Sequence, residues 1–265
     1  MLSKTRLFRQ FPFRDGVTRM DTTLETDRYT QKNMYALYIK EGDLYLARCP
    51  FDKLMEKYPQ WEELALIAAN VAECAIAFDG FWQRENDTKD FYFQSTDLWL
   101  FWVSQHAELK TARWDGTLVT PETLLPGTET GVSSLSAIRG WKSVTRPQDD
   151  DGMIIAYIYQ GELRYRARCE QESGQIIWEP ERTVAEAPFP IQKVRLFRGN
   201  DYRTGFMVEQ NGVMYTLIGS RTWAGMGNPP EIISAPRHDM HANTQGRLMK
   251  ATAQIPEQRL NLSRS

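Results

Sequence analysis

One strand–turn–strand pattern recurs four times in this chain, and the recurrence limits the fold more than any other feature. A polar turn and its flanks read Tyr38-Ile39-Lys40-Glu41-Gly42-Asp43-Leu44-Tyr45. They return as Phe93-Gln94-Ser95-Thr96-Asp97-Leu98-Trp99, as Tyr159-Gln160-Gly161-Glu162-Leu163-Arg164 and as Glu209-Gln210-Asn211-Gly212-Val213-Met214-Tyr215. Asn-Gly signals a two-residue hairpin, because both central residues take positive φ. Units of this size, repeated in tandem, indicate a solenoid, a propeller or an array.

Each unit is expected to hold four strands. The first strands are 6–9, 75–78, 135–139 and 194–198, and Lys4-Thr5-Arg6-Leu7-Phe8-Arg9 nearly copies Lys193-Val194-Arg195-Leu196-Phe197-Arg198. Gly80, Gly140 and Gly199 follow three of them, as sharp turns require. The second strands are 34–39, 91–94, 153–159 and 204–209. The third are 44–48, 98–103, 163–168 and 213–218. The fourth are 61–64, 117–124, 176–179 and 230–233. Leu98-Trp99-Leu100-Phe101-Trp102-Val103 is apolar on both faces, which suits a strand sandwiched between neighbouring sheets. Segment 54–77 competes for a helix, since 61–71 carries apolar residues at near-helical spacing. Long loops are expected over 79–90 and 139–152.

Four-stranded units that each bury two faces can stack radially and leave only short edges. The expected fold is therefore all-β, a β-propeller of four or five four-stranded blades. The blades run over 5–70, 74–125, 135–186 and 193–235, within a domain of residues 1–235. Residues 10–33 form a long loop or arm, or part of a fifth blade. Residues 236–265 lose the pattern and form an extended C-terminal arm. A β-sandwich is the competing architecture.

Composition narrows the function classes. Net charge is −2, which argues against a partner as anionic as nucleic acid. Aromatic residues make up 12% of the chain, eight of them Trp, and such residues favour strands and ligand or partner surfaces. Three cysteines give no disulfide framework and no CxxC metal knuckle. Cys49 and Cys169 each end a strand as Ala-Arg-Cys, and buried small apolar packing is the expectation for both. The N-terminal segment lacks an apolar signal core, and no apolar run is long enough to span a bilayer. Synthesis in a cytoplasm without membrane insertion is expected.

Catalytic patterns are sparse. Three histidines, His106, His238 and His241, stand near no nucleophile elbow. His238-Asp239-Met240-His241 lacks zinc-helix spacing, and Asp149-Asp150-Asp151-Gly152 lacks the alternating ligands and distal Glu of a calcium loop. No carboxylate pair stands out for glycoside hydrolysis. No catalytic, cofactor-binding or metal-binding residues are assigned, and no cofactor is expected. Arg164, Arg166 and Arg168 share one strand face at period two. They form either a polar ridge for an acidic partner or a strand face that is solvent-facing or paired within the molecule.

The stretch from Leu163 through Cys169 to Glu172-Ser173-Gly174-Gln175 and Ile177-Trp178 resembles a degenerate sialidase-like propeller blade, and Ala112-Arg113-Trp114-Asp115-Gly116-Thr117 is a second match. No intact Asp-box is present, so no catalytic residue carries over. Degenerate blades with terminal arms are also similar to small β-propeller structural proteins of tailed bacteriophages. That resemblance implies a non-enzymatic virion component of the tail, collar or baseplate. It would be made in the host cytoplasm, be present in multiple copies in a symmetric assembly, and dock other virion structural proteins. Its partners would include no nucleic acid. The alternative is a carbohydrate- or receptor-binding propeller that takes a host surface glycan, with Trp82, Trp99, Trp114, Trp141 and Trp223 as stacking candidates. A glycosidase with an axial pocket is the third choice.

Overall fold

The computed structural model describes residues 16–28, 30–56, 59–84, 91–116, 123–124, 130–139, 151–170, 176–184, 190–198, 204–218 and 249–250. These residues form an all-β array of four antiparallel sheets, each a meander in chain order. The first sheet comprises β1 (Val17–Asp27), β2 (Thr30–Lys40), β3 (Asp43–Pro50) and β4 (Glu62–Ala68). The second comprises β5 (Val71–Arg84), β6 (Phe91–Ser104), β7 (Leu109–Trp114) and β8 (Thr123–Leu124). The third holds β9 (Val132–Arg139), β10 (Asp151–Tyr159), β11 (Glu162–Glu170) and β12 (Ile176–Trp178), with β13 (Arg182–Thr183) also paired to β11. The fourth holds β14 (Lys193–Arg198), β15 (Thr204–Gln210), β16 (Val213–Ile218) and β17 (Met249–Lys250).

The repeat is real, but its register in the second unit differs from expectation. Phe93 to Trp99 is no turn: β6 runs unbroken through it, pairing Gln94 with Phe81 and Leu98 with Phe78. A register shift between Phe78 and Gly80 absorbs the polar Ser95-Thr96-Asp97 stretch as a bulge. The second hairpin turn lies at 105–108 instead, where Ala107 takes φ 62°. Residues 98–103 therefore belong to the second strand of their sheet, and Leu109–Trp114 is the third. The other three turns are as expected. Glu41-Gly42, Gln160-Gly161 and Asn211-Gly212 all have positive φ at both positions, the geometry of a tight hairpin between right-twisted strands.

Two further expectations are corrected, and within 54–77 the expected strand prevails over the competing helix. The long arm expected over 10–33 is strand from Val17 onward, where β1 begins and pairs with β2 along its length. The alternation of Met20, Thr22 and Leu24 with polar neighbours is strand-like, but the charges around it obscured the pattern. No α-helix forms among the described residues of 54–77. A short 3₁₀ turn covers Phe51–Met55, and Glu62–Ala68 and the start of β5 are strands. The supposed loop 79–90 is strand as far as Arg84. The first strand expected at 6–9 and the fourth strand expected at 230–233 lie outside the described residues. The fourth position of the last sheet is filled by Met249–Lys250, from the expected arm, which pairs with Thr216 and Tyr215.

The sheets stack in chain order through their first strands, β1 on β5, β5 on β9 and β9 on β14. Two faces of each middle sheet are consequently buried. Leu98, Leu100 and Trp102 of β6 pack with Leu37, Ile39, Leu44 and Leu46 of the first sheet. Phe101 and Val103, one residue out of phase, pack with Leu135, Ile155 and Tyr157 of the third. The doubly apolar β6 is thus sandwiched as its sequence indicates. Ile154, Ala156 and Leu163 carry the third sheet's other face onto Val194, Leu196, Phe206 and Val208 of the fourth.

A repeated hydrogen bond fixes the spacing between sheets. The hairpin turn of each sheet accepts from the segment that opens the next: Val71 N–H donates to Gly42 O, Val132 N–H to Ala107 O and Ile191 N–H to Gly161 O. Side chains also bridge the first strands. Asp21 Oδ2 accepts from Ile76 N–H (3.2 Å), Ser134 Oγ from Val194 N–H (3.2 Å) and Ser136 Oγ from Leu196 N–H (3.0 Å). These strands are sheet edges, and polar side chains from the neighbouring sheet satisfy N–H groups that would otherwise be buried unpaired.

One glycine in the fourth sheet is required by packing. Gly205 pairs with Phe197, and a Cβ on Gly205 would stand 2.3 Å from the Phe197 ring. Gly205→Ala should cost about 1–3 kcal/mol through overpacking, read as a fall in chemical-denaturation midpoint. Combining it with Phe197→Leu should reduce that cost. An unchanged midpoint in Gly205→Ala would show that the ring does not rest on the glycine.

Candidate functional site

The interface between the second and third sheets gathers a group of polar and aromatic side chains. Its floor is Asp79 of β5, placed at the β5–β6 bulge, where its Oδ1 accepts from Gly80 N–H at 2.9 Å. Asp79 is almost fully buried and is paired through Oδ2 with Arg168 Nε of β11 at 2.9 Å. Arg168 also lays its guanidinium 4.8 Å from the ring centroid of Trp99. Trp99 stands edge-on to Trp178 at 6.0 Å, and Trp178 meets Phe101 at 6.0 Å in the same way. Trp99 and Trp178 are both half-buried. The Trp99 Nε1 donor is shielded and has no hydrogen-bond partner among the described residues.

Strand pairing explains why these groups meet. Arg139, Met153, Arg168 and Trp178 occupy one row across the third sheet, since β9, β10, β11 and β12 pair them in turn. Residues paired directly across strands share a face, and Met153 packs in the cluster between the second and third sheets. That row therefore faces the second sheet. Arg139 Nη1 donates to Thr26 Oγ1 of β1 at 3.0 Å, and burial holds its guanidinium below the usual arginine range. Thr26 N–H in turn donates to Ser95 Oγ at 2.9 Å. Three sheets thus contribute to one end of the interface.

The arginine ridge continues along the same face and is paired within the molecule. Arg166 Nε donates to Glu179 O at 2.9 Å. Arg164 binds Glu181 at 2.6 Å and Glu162 at 3.0 Å, and its guanidinium covers the Tyr159 ring at 4.0 Å. Tyr157 O–H donates to Glu181 Oε2. Arg182 meets Glu179 at 3.2 Å. The intramolecular alternative for this face is the one that holds. The segment after β12 supplies the Glu179 carbonyl and the Glu181 carboxylate, a pairing across a loop that strand periodicity alone could not locate.

Tyr157 is fully buried, and Tyr38 of the first sheet is nearly so while donating to Glu63 Oε2 at 2.5 Å. Burial first, and then the adjacent carboxylate, pushes both phenols well above the usual tyrosine range. The neutral phenol is favoured only in the fold, so this contribution is fully present below the unfolded tyrosine pKa of about 10 and is lost as pH rises above it. Alkaline titration followed by phenolate absorbance should show these two tyrosines ionising only together with unfolding. Phenolate formation at both in the native state would contradict their burial.

The remaining sequence candidates are placed as follows. Trp114 is buried in the core between the first two sheets. Trp82 lies in β5, while Trp141 and Trp223 lie outside the described residues, as do His238 and His241. His106 is exposed in the β6–β7 turn. Cys49 and Cys74 are free and buried, and burial pushes the Cys49 thiol up to about 11. Among the described residues, no group of three His, Cys, Asp or Glu side chains could hold a metal ion. Trp178 and Trp61 were missed as candidates. Trp178 could have been found from its place beside the arginine strand.

No family model and no curated protein matches the chain. Among solved structures it is similar to a mutant of NanB sialidase from Streptococcus pneumoniae, at 9% identity and TM-score 0.45, over 67% of this chain and 25% of that one. It is also similar to a mutant of the Aleuria aurantia lectin in complex with Fucalpha1-6GlcNAc, at 12% identity and TM-score 0.45, over 76% of this chain and 58% of that one. A third is AofleA from Arthrobotrys oligospora, at 10% identity and TM-score 0.27, over 88% of each chain. The chain thus spans a quarter of the sialidase chain and just over half of the lectin chain.

Proposed function

We propose that this protein is a non-enzymatic carbohydrate-binding protein whose sheets are the blades of a propeller, and that the sugar docks where Trp99, Trp178 and Arg168 converge between the second and third blades. The observation that carries this is the combination of two half-buried indoles with a guanidinium held in place by a buried carboxylate. Sugar rings present apolar C–H faces that pack on aromatic rings, and hydroxyls that take paired hydrogen bonds from a fixed donor. Small-molecule sites combine aromatic lining with a few positioned polar groups in this way. The Asp79–Arg168 ion pair supplies the positioning, since the buried carboxylate holds the planar guanidinium beside the Trp99 ring.

The same geometry favours binding over hydrolysis. The mapped carboxylates of this interface, Asp79, Glu179 and Glu181, are engaged by Arg168, by Arg182, and by Arg164 with Tyr157. A glycosidase needs two carboxyl groups facing each other across the scissile bond. Assignment to a virus particle draws instead on the terminal arms. Of residues 236–265 only Met249–Lys250 is described, as an edge strand of the fourth sheet. Carbohydrate binding draws on described side chains.

Trp178→Ala should weaken glycan binding by about tenfold or more, the scale of one aromatic hot-spot contact, with a smaller effect on the melting temperature than a core truncation. The measurement is a glycan-panel screen followed by calorimetric titration of the best ligand against both proteins. Equal affinity in Trp178→Ala would place the sugar elsewhere on the molecule.

A further inference from the structure

Three adjacent sheets break register at the same end. Leu24 and Thr26 of β1 pair with Met34 and Gln31 of β2, so Glu25 alone faces Lys32-Asn33. Phe78 and Gly80 of β5 pair with Leu98 and Ser95 of β6, so Asp79 alone faces Thr96-Asp97. Asp151 and Met153 of β10 pair with the consecutive residues Cys169 and Arg168 of β11, so Gly152 is the extra residue. The extra residue falls on the second strand of its sheet each time. In the fourth sheet, β14 and β15 pair without a shift. A bulge re-aims the side chains beside it, and bulges are over-represented next to active sites.

The re-aimed groups meet. Thr26, just past the first bulge, donates its N–H to Ser95 Oγ beside the second at 2.9 Å. Its own Oγ1 accepts from Arg139 Nη1 at 3.0 Å. Arg139 belongs to the third sheet, although the stacking order sets the second sheet between it and β1. Asp79, inside the second bulge, holds Arg168 beside the third at 2.9 Å. Arg168 and Arg139 both pair with Met153. The contacts close a circuit: Thr26 to Ser95, across to Gly80 and Asp79, on to Arg168, through Met153 to Arg139 and back to Thr26. Both indoles stand on this circuit, Trp99 against the Arg168 guanidinium and Trp178 paired with Arg168 across β11 and β12. The first bulge is itself braced, since Asn33 Nδ2 donates to Glu25 Oε2 at 2.6 Å and Lys32 Nζ meets Asp27 Oδ2 at 2.6 Å.

We propose that Thr26 and Ser95 are positioning residues for the site between the second and third sheets, acting through Arg139 and the β6 bulge to fix where Arg168, Trp99 and Trp178 stand. The inference rests on the sugar site proposed above and adds that the first sheet sets its affinity. Groups that orient a ligand must be held to within about 0.5 Å, a task that falls to the hydrogen bonds behind them. Thr26 carries two of those bonds, one through its backbone and one through its hydroxyl, and they run to different sheets.

The test uses the full chain labelled with 5-fluorotryptophan, with the two ¹⁹F signals assigned by Trp99→Phe and Trp178→Phe. Thr26→Val keeps the shape and the backbone N–H but removes the hydroxyl. It should shift both signals in the absence of sugar, Thr26→Ser should return them to the parent positions, and Ser95→Ala should shift them again. Gly205→Ala, which strains the fourth sheet instead, should leave both in place. Signals unmoved in Thr26→Val, or moved as much by Gly205→Ala, would overturn the positioning role. Binding to a panel of neutral and acidic oligosaccharides should weaken about three- to tenfold in Thr26→Val, the scale of substitutions that act through a packed network without touching a ligand. Unchanged binding with shifted signals would overturn the claim that the first sheet sets the affinity. A parent chain that binds no sugar, with the signals shifting as described, would remove the carbohydrate reading and leave the positioning role standing.

Discussion

Asp79→Asn should lower stability by about 3–5 kcal/mol, the cost of leaving the Arg168 guanidinium buried without its counter-charge. The reasoning starts from burial. The Asp79 side chain is 2% exposed and that of Arg168 13%, so water cannot replace the lost carboxylate charge. The two residues come from different sheets, β5 and β11, so the penalty falls on the packing between sheets and spares each hairpin. For a domain of this size the loss corresponds to roughly 6–20 °C in melting temperature. Arg168→Met in the same background should recover much of it, because the double variant leaves no unpaired charge. If Asp79→Asn melts within a degree or two of the parent, the pair is not the buried contact described here.

Phe101→Ala should cost about 3–5 kcal/mol, the usual range for truncating a fully buried aromatic residue. Phe101 is inaccessible to solvent and sits in the cluster that joins the second and third sheets, against Leu135, Ile155 and Tyr157. It also supports Trp178, whose ring it meets edge-on at 6.0 Å. The substitution should therefore reduce glycan affinity as well as stability, because the cavity lets the indole shift. Leu100→Ala, one residue along, opens the other face of β6 onto the first sheet. It should cost stability in the range of about 2–5 kcal/mol for Leu→Ala and leave affinity nearly unchanged. Denaturant midpoints and calorimetric affinities of the two variants test the assignment of alternate β6 residues to opposite interfaces. Identical affinity losses would contradict it.

The parts of this fold that could be seen in the sequence are those where local chemistry and tertiary packing agree. Three hairpin turns carry glycine at the second of two positive-φ positions, and all three fall where the sequence places them. The unbroken apolar run Leu98-Trp99-Leu100-Phe101-Trp102-Val103 correctly indicated a sheet with neighbours on both faces. The second unit misled because its turn, Gln105-His106-Ala107-Glu108, has no glycine, whereas the polar Ser95-Thr96-Asp97 stretch imitates one. A bulge accommodates that stretch inside a continuous strand, and a bulge is decided by pairing across strands. β1 was hidden for a related reason. Arg19, Asp21 and Glu25 look like loop residues, yet Arg19 pairs with Glu73, Asp21 accepts from the next sheet's backbone, and Glu25 accepts from Asn33.

The candidate site was less visible than the fold. Arg168 and Trp178 lie close in sequence, but Asp79 and Trp99 come from another sheet, and no spacing rule links the two pairs. Arg164, Arg166 and Arg168 were recognisable as one strand face. Their partners come from a loop in two cases and from the neighbouring sheet in the third, which explains why the face could be identified before its role.

Titration of the native protein with a panel of neutral and acidic oligosaccharides, followed by tryptophan fluorescence, tests the central claim most directly. Saturable quenching by at least one sugar, diminished in Trp178→Ala and retained in a variant of a distant indole such as Trp61→Phe, is the predicted result. Saturable binding that Trp178→Ala leaves intact, or no binding across the panel, would contradict a sugar site between the second and third sheets.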